Sequence, residues 1–217
     1  LPLYEIRDQI HRRFCPPSLA PLWQGESLDG KTILVQGEQG FGDLFQFCRF
    51  IPDLAARGAR VILQERSQTR ILMQSLSGVA DFVAASEPAP VADLSIPLAG
   101  VMRAINFRVE TIPTGIPYLH AEPERVGGWR EALGATQRCR VGIAWSGLTR
   151  RASQQWRSLD DAALAQLLKA DAEFISLQME ESAVAQARNV RQFGSAIADF
   201  AELAALIETL DIVVSID

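Results

Sequence analysis

The sequence is poor in the residues that metal and redox chemistry depend on. Its 217 residues include two histidines, His11 and His120, and three cysteines, Cys15, Cys48 and Cys139. The histidines lie in Arg- or Pro-containing irregular segments with no second ligand nearby, which argues against a zinc site and against a Ser-His-Asp triad. The cysteines are odd in number, far apart and form no C-x-x-C pair, so they read as reduced thiols. Positive charge is also short. With 21 Lys and Arg against 26 Asp and Glu, the formal net charge is −5, and the broad basic face needed for sequence-independent nucleic-acid binding is missing. No apolar run is long enough to span a membrane, and residues 1–14 lack the apolar core and cleavage site of a signal peptide. A soluble, cytoplasmic protein without a membrane span is expected. Internal repeats and low-complexity tracts are absent too.

What the chain does have is core-forming material. At 48% hydrophobic residues, it can bury the core of one large domain or two small ones. Its organising stretch is Leu34-Val35-Gln36-Gly37-Glu38-Gln39-Gly40-Phe41-Gly42-Asp43. The preceding Thr32 to Val35 is a short apolar, β-rich run, and the residues from Asp43 to Phe50 are apolar at helical spacing, so the stretch reads as strand, glycine loop, helix. Three glycines in six residues let the backbone turn tightly and approach a ligand, and the N–H groups of the following helix favour an anion or another acceptor. Two roles are open to Asp43: capping that helix, or facing a ligand.

Taken in order, residues 1–30 read as a short helix and an irregular arm, because Pro16, Pro17 and Pro21 forbid a continued helix. A first domain is expected over 31–120. It has strands at Thr32 to Val35, Ala59 to Glu65, Asp81 to Ala84 and Asp93 to Leu98, and helices at Asp43 to Arg57, with Gly58 as its C-cap, and at Ser67 to Leu76, capped by Ser67 and closed by Gly78. A proline-punctuated stretch, Thr111 to Leu119, marks the boundary. A second domain is expected over 121–217, with helices at Glu122 to Leu133, Asp160 to Lys169 and Asp199 to Thr209. Its strands are Arg140 to Trp145, Glu173 to Gln178 and Asp211 to Ile216. Strands alternating with helices at these spacings predict an α/β fold of βαβ units with parallel sheets. A buried parallel strand is normally followed by a loop and a covering helix. The chain instead ends at Asp217, so the second domain is expected to be truncated.

These residues carry a resemblance. Trp23-x-Gly25-Glu26-x-Leu28-x-Gly30-Lys31-Thr32, followed by Gly37-Glu38-Gln39-Gly40-Phe41-Gly42-Asp43-x-x-Gln46-Phe47-x-Arg49-Phe50, resembles the glycosyltransferase-like C-terminal region of bacterial tetratricopeptide-repeat proteins. More distantly it is similar to the heptosyltransferases of glycosyltransferase family nine. The likeness continues through Ile112-Pro113, Pro117-Tyr118-Leu119, Val141 to Gly147, Ser176-Leu177-Gln178 and Asp211 to Asp217.

The resemblance implies a GT-B architecture of two Rossmann-like domains, with acceptor bound by the first, nucleotide-sugar by the second, and no metal or other cofactor. It implies that Asp43 is the base that deprotonates the acceptor hydroxyl, with Gln39, Gly40, Phe41, Gly42 and Gln46 forming the acceptor loop. Trp145, Ser146, Gly147, Arg157, Gln178 and Asp217 are the implied donor side, and Arg150 and Arg151 lie in the same basic loop; on residue types alone that loop reads as solvated surface, and Gln178 reads equally as a cap of the next helix. Guanidinium forks suit the oxygens of a leaving diphosphate. The expected partners are a nucleotide-sugar donor and a glycan, lipid-linked sugar or protein acceptor. Relatives continue beyond the position of Asp217 with donor-binding residues, so weak or absent turnover is expected of this chain.

Two further readings stay open. One is a non-catalytic binding module derived from the same fold. The other is an NAD(P)-dependent oxidoreductase, because Gly37, Gly40 and Gly42 follow a strand and Glu65 ends the next, where a ribose-binding acid belongs. The glycine spacing is not G-x-G-x-x-G, however, and no Tyr-x-x-x-Lys set is present.

Overall fold

The computed structural model of the chain describes residues 15–37, 40–146, 158–179, 185–186 and 188–216. Two compact units emerge, Leu1–His120 and Ala121–Asp217. Each is built on an all-parallel sheet with helices between its strands.

In the first unit the strands β1 (Thr32–Gln36), β2 (Arg60–Glu65), β3 (Val79–Ala84) and β4 (Leu94–Pro97) form a sheet of order β3-β2-β1-β4. Thr32 is in register with Arg60, and Ile33 with both Val61 and Leu94. The central strands are apolar without alternation, and Ile33, Leu34, Val35, Val61 and Leu63 are fully buried, as expected of a parallel sheet buried on both faces. The arm before Lys31 is built into this unit. Trp23 is fully buried, its backbone N–H donates to Ser95 O at 2.9 Å, and Ser95 N–H donates to Pro21 O at 2.8 Å. The arm thereby satisfies backbone groups along the outer side of β4 that an open edge would leave exposed.

The helices differ from expectation in detail. The single helix expected from Asp43 to Arg57 is two, α1 (Phe41–Phe47) and α2 (Ile51–Ala56), joined by a 3-10 turn at Cys48–Phe50. Pro52 is the cause: it has no N–H to donate to Cys48 O, and its ring would collide with that carbonyl. Gly58 follows α2 at φ +88, and a Cβ there would lie 2.8 Å from the Asp29 carboxylate. The Ser67 cap is corrected as well. Ser67 begins a 3-10 turn ending at Thr69, and α3 (Arg70–Gln74) starts after Thr69 with no side-chain cap. A short helix unassigned from sequence, α4 (Val101–Ala104), follows β4.

In the second unit α5 (Pro123–Leu133) leads to β5 (Arg140–Ala144), α6 (Asp161–Leu167), β6 (Glu173–Ser176), α7 (Phe200–Ile207) and β7 (Ile212–Ser215), with strand order β6-β5-β7. Alternate residues of the strands feed two apolar clusters. Val141, Ile143, Trp145 and Phe174 pack with Leu164 of α6. Ile175 packs with Val126, Trp129 and Leu133 of α5 and with Ala205 and Leu206 of α7. Both aspartate-led helices are capped as their sequences suggest: Asp160 accepts from Ala163 N–H at 2.7 Å, and Asp199 from Glu202 N–H at 2.9 Å. Strand β7, expected to be buried, is exposed. Ile212 and Val213 retain 52% and 44% of their surface, and β7 pairs with β5 on one side only among the described residues. No described helix is long and apolar enough to cross a membrane.

Candidate active site at the glycine loop

Ligands of open parallel sheets bind beyond the carboxyl ends of the strands. In the first unit β1 ends at Gln36, and the glycine-rich connection enters α1 at Phe41. Gly40 is the N-cap, with extended φ −64 and ψ 161. Asp43 is therefore not the cap weighed from sequence. It is the third helical residue, because the helix begins two residues earlier than the apolar pattern indicated. Its side chain is half-buried, and among the described residues nothing hydrogen-bonds to or pairs with its carboxylate.

Asp43 lines a crevice with Gly37, Leu44, Phe47, Glu65, Leu98 and Ala99; the crevice holds about 10 Å³, room for about one water. Glu65, at the end of β2, is only 3% exposed. Its Oε1 accepts from Arg66 N–H at 2.9 Å and from Arg66 Nε at 2.5 Å. Glu65 was singled out from sequence as a ribose-binding acid; in the structure its carboxylate is committed to Arg66 and packed against Gly37. A Cβ at position 37 would sit 1.5 Å from Glu65 Oε2, so only glycine fits beside that carboxylate.

Of the other loop residues named from sequence, Gly40, Gly42 and Gln46 are exposed and Phe41 is half-buried. Gln39 lies outside the described residues. Arg49, from the same motif, donates through Nη2 to Tyr118 Oη at 2.9 Å, and Tyr118 Oη donates to Phe45 O at 2.8 Å. This joins Tyr118 to α1, a link between two separate motifs that sequence reasoning did not make. Among the described residues, nothing hydrogen-bonds to the buried Nε of Arg49. Nearby Cys48 is sealed in, and burial pushes its thiol up to about 12, so it is no nucleophile near neutral pH.

The corresponding edge of the second unit is arranged differently. Ser146 N–H donates to Gln178 Oε1 at 3.0 Å, Gln178 Nε2 donates to Ser146 Oγ at 3.3 Å, and Gln178 N–H donates to Ser176 Oγ at 3.1 Å. Ser146 and Gln178 are thus brought together and satisfy each other, while Trp145 is buried against the α6 side of the sheet. Gly147, Arg157 and Asp217 lie outside the described residues, as do Arg150 and Arg151. A wider hollow of about 610 Å³ is lined by Arg130, Gly134, Arg140, Glu208 and Asp211 among others. It sits at the amino ends of β5 and β7, the wrong edge for a ligand of such a sheet. Its Arg140 is engaged by Glu173 at 3.2 Å. Among the described residues, no group of three or more His, Cys, Asp or Glu is placed to hold a metal ion.

Against solved structures, the chain is similar to the E. coli ADP-heptose LPS heptosyltransferase II, with a TM-score of 0.59 and 12% identity over 86% of this chain and 79% of that one. It is also similar to a glycosyltransferase of family 9 from Veillonella parvula, with a TM-score of 0.61 and 9% identity over 88% and 76%. The chain has their fold. At these identities the likeness is one of fold, a GT-B-like fold built of parallel α/β units. No protein-family model matches the sequence, and no curated protein does.

Proposed function

We propose that the protein is a glycosyltransferase that moves a sugar from a nucleotide-sugar to an acceptor hydroxyl, with Asp43 as the base. Asp43 takes the hydroxyl proton as the acceptor oxygen forms its bond to the anomeric carbon. The bond from that carbon to the diphosphate breaks, and the nucleotide leaves with the electron pair. The chemistry needs a base within reach of the nucleophile and donors or positive charge at the leaving group.

One observation carries the proposal. At the ligand edge of the first sheet, Asp43 holds a half-buried carboxylate that no described group neutralises. The first unit would take the acceptor, a glycan, lipid-linked sugar or protein. The second would take the donor at Trp145, Ser146 and Gln178, with Gly147, Arg157 and Asp217 beyond the described residues.

The test starts with a thermal-shift panel of UDP-, ADP-, GDP- and CMP-sugars, with NAD and NADP included, because a ligand of the native state raises the melting temperature by mass action. The nucleotide-sugar that shifts the protein is then assayed for transfer in wild type and in Asp43→Asn. Transfer lost in the variant at an unchanged melting temperature supports the base. Transfer retained with lowered stability removes Asp43 from the chemistry.

A second reading, a binding module that has kept the fold without transfer, is favoured by the mutual bonding of Ser146 and Gln178, which must open before either can hold a donor. Binding of an acceptor glycan with no nucleotide-sugar shift would select it.

A further inference from the structure

Glu65 is a carboxylate at the ligand edge that the proposed chemistry does not use, and its surroundings are unusual. Burying a carboxylate costs free energy unless it is paired and hydrogen-bonded, and here both needs are met by the next residue: Oε1 takes the Arg66 backbone N–H and the Arg66 Nε. The same guanidinium lies 3.6 Å from the centroid of the Phe41 ring, a cation–π stack on a partly buried Arg. Phe41 is the first residue of α1, and Asp43 follows in the same turn. On the other side, Glu65 Oε2 occupies the space where Gly37 has no side chain, at the point where the chain leaves β1. One buried carboxylate thus touches the start of the glycine-rich connection directly and its end through Arg66.

We infer that Glu65 and Arg66 are positioning residues that hold Phe41, and through it the first turn of α1, so that the Asp43 carboxylate is aimed into the crevice. The inference rests on the reading of Asp43 as the base. Displacing a reacting group by about 1 Å costs on the order of 100-fold in rate, so a clamp on its helix turn acts on turnover more than on binding. Arg66→Lys is the sharpest probe. It keeps a positive charge beside Glu65 and removes both the planar stack on Phe41 and the fixed Nε geometry.

The experiment uses the full chain in four forms: wild type, Arg66→Lys, Asp43→Asn and the double variant. Transfer kinetics and amide hydrogen exchange across residues 41–44 are followed in each, and Glu65→Gln serves as a second single variant. The clamp predicts that kcat falls at least about tenfold in Arg66→Lys with KM for donor and acceptor unchanged. It predicts faster exchange at 41–44, and no further loss when Arg66→Lys is added to Asp43→Asn, because the residue acts through Asp43. Glu65→Gln should reproduce the pattern. Unchanged kcat, or losses that multiply in the double variant, would overturn the positioning role. If wild type transfers no sugar, the exchange result separates the two ideas. Faster exchange then supports the clamp while the reading of Asp43 as the base fails, and unchanged exchange overturns the clamp itself.

Discussion

The two units place the ends of their parallel strands in opposite states. At the edge of the first sheet, Asp43 has no partner among the described residues, beside a buried Glu65 whose Oε1 accepts from Arg66. At the matching edge of the second, Ser146 and Gln178 close on each other, and Trp145 is turned into the core. At the far edge of the second unit, Glu173 accepts from Arg140 and Arg191 at 3.2 and 2.8 Å. The same architecture can therefore leave a polar group at a strand end open or close it on a neighbour. The difference lies in whether each polar group has been given a partner, since a satisfied group has little left for a ligand.

The largest effect that tests this contrast is catalytic. Asp43→Asn is expected to lower kcat by roughly 100- to 10,000-fold, the usual worth of a positioned base. Gln178→Ala should change kcat by far less and lower stability by about 1 kcal/mol, as loss of a typical hydrogen bond does. Transfer kinetics and denaturant melts of both variants decide it, and a Gln178 variant as inactive as the Asp43 variant would erase the contrast. Next in size is a pair of glycine substitutions. Gly37→Ala drives a methyl into the fixed carboxylate of Glu65, and overpacking of that kind costs about 1–3 kcal/mol. Gly142→Ala meets Leu210 Cδ1 at 2.4 Å and Leu177 Cδ1 at 3.1 Å, both ends of side chains that can rotate away, so it should cost less. Equal losses in urea melts would show that the Glu65 carboxylate gives way as readily as a leucine, which would also weaken the case for a clamp.

The strands were readable from sequence because each is a short apolar run bounded by turn residues, from Thr32 in β1 to Ile212 in β7. The starts of α6 and α7 were readable because Asp160 and Asp199 stand where a capping side chain belongs. What escaped depends on single residues or on distance in the chain. Pro52 splits a helix whose apolar pattern runs straight through it, and α4 is too short to show a period. The start of α1 at Phe41 follows from Gly40 in extended conformation, which apolar spacing does not report. That shift moved Asp43 from cap to first turn. Asp43 itself was legible as a candidate, since a carboxylate after a glycine loop is a local signal. Its contacts were not, because the Arg66 stack on Phe41 exists only once β2 lies beside β1, and in the second unit Ser146 and Gln178 were named singly while their hydrogen bond, across 32 residues of chain, forms only once β5 pairs with β6. Glu65 illustrates the limit: sequence placed it at the correct edge but suggested a ligand where the structure has an arginine.

The smallest effect concerns the far edge of the second unit. Glu173 is partly buried, which opposes its ionisation, but hydrogen bonds from Arg191 and Arg140 outweigh that cost and hold its carboxyl below its ordinary value of 4.5. A carboxylate with a depressed folded-state pKa stabilises the native state above its unfolded pKa, and that contribution disappears as pH falls through the folded-state value. Wild type should therefore lose stability through Glu173 from about pH 4.5 downward, while near neutral pH the contribution is complete. Glu173→Gln should be less stable than wild type at pH 7 and should converge on it in acid, since Arg191 keeps its bonds to the Ala132 and Leu133 carbonyls at 2.8 and 2.7 Å in either case. Urea melts of both proteins from pH 7 to pH 3 measure the gap directly. A gap that stayed constant across that range would mean that Glu173 acts through packing alone. The contrast between this paired carboxylate and the open one of Asp43 would then rest on Ser146 and Gln178 only.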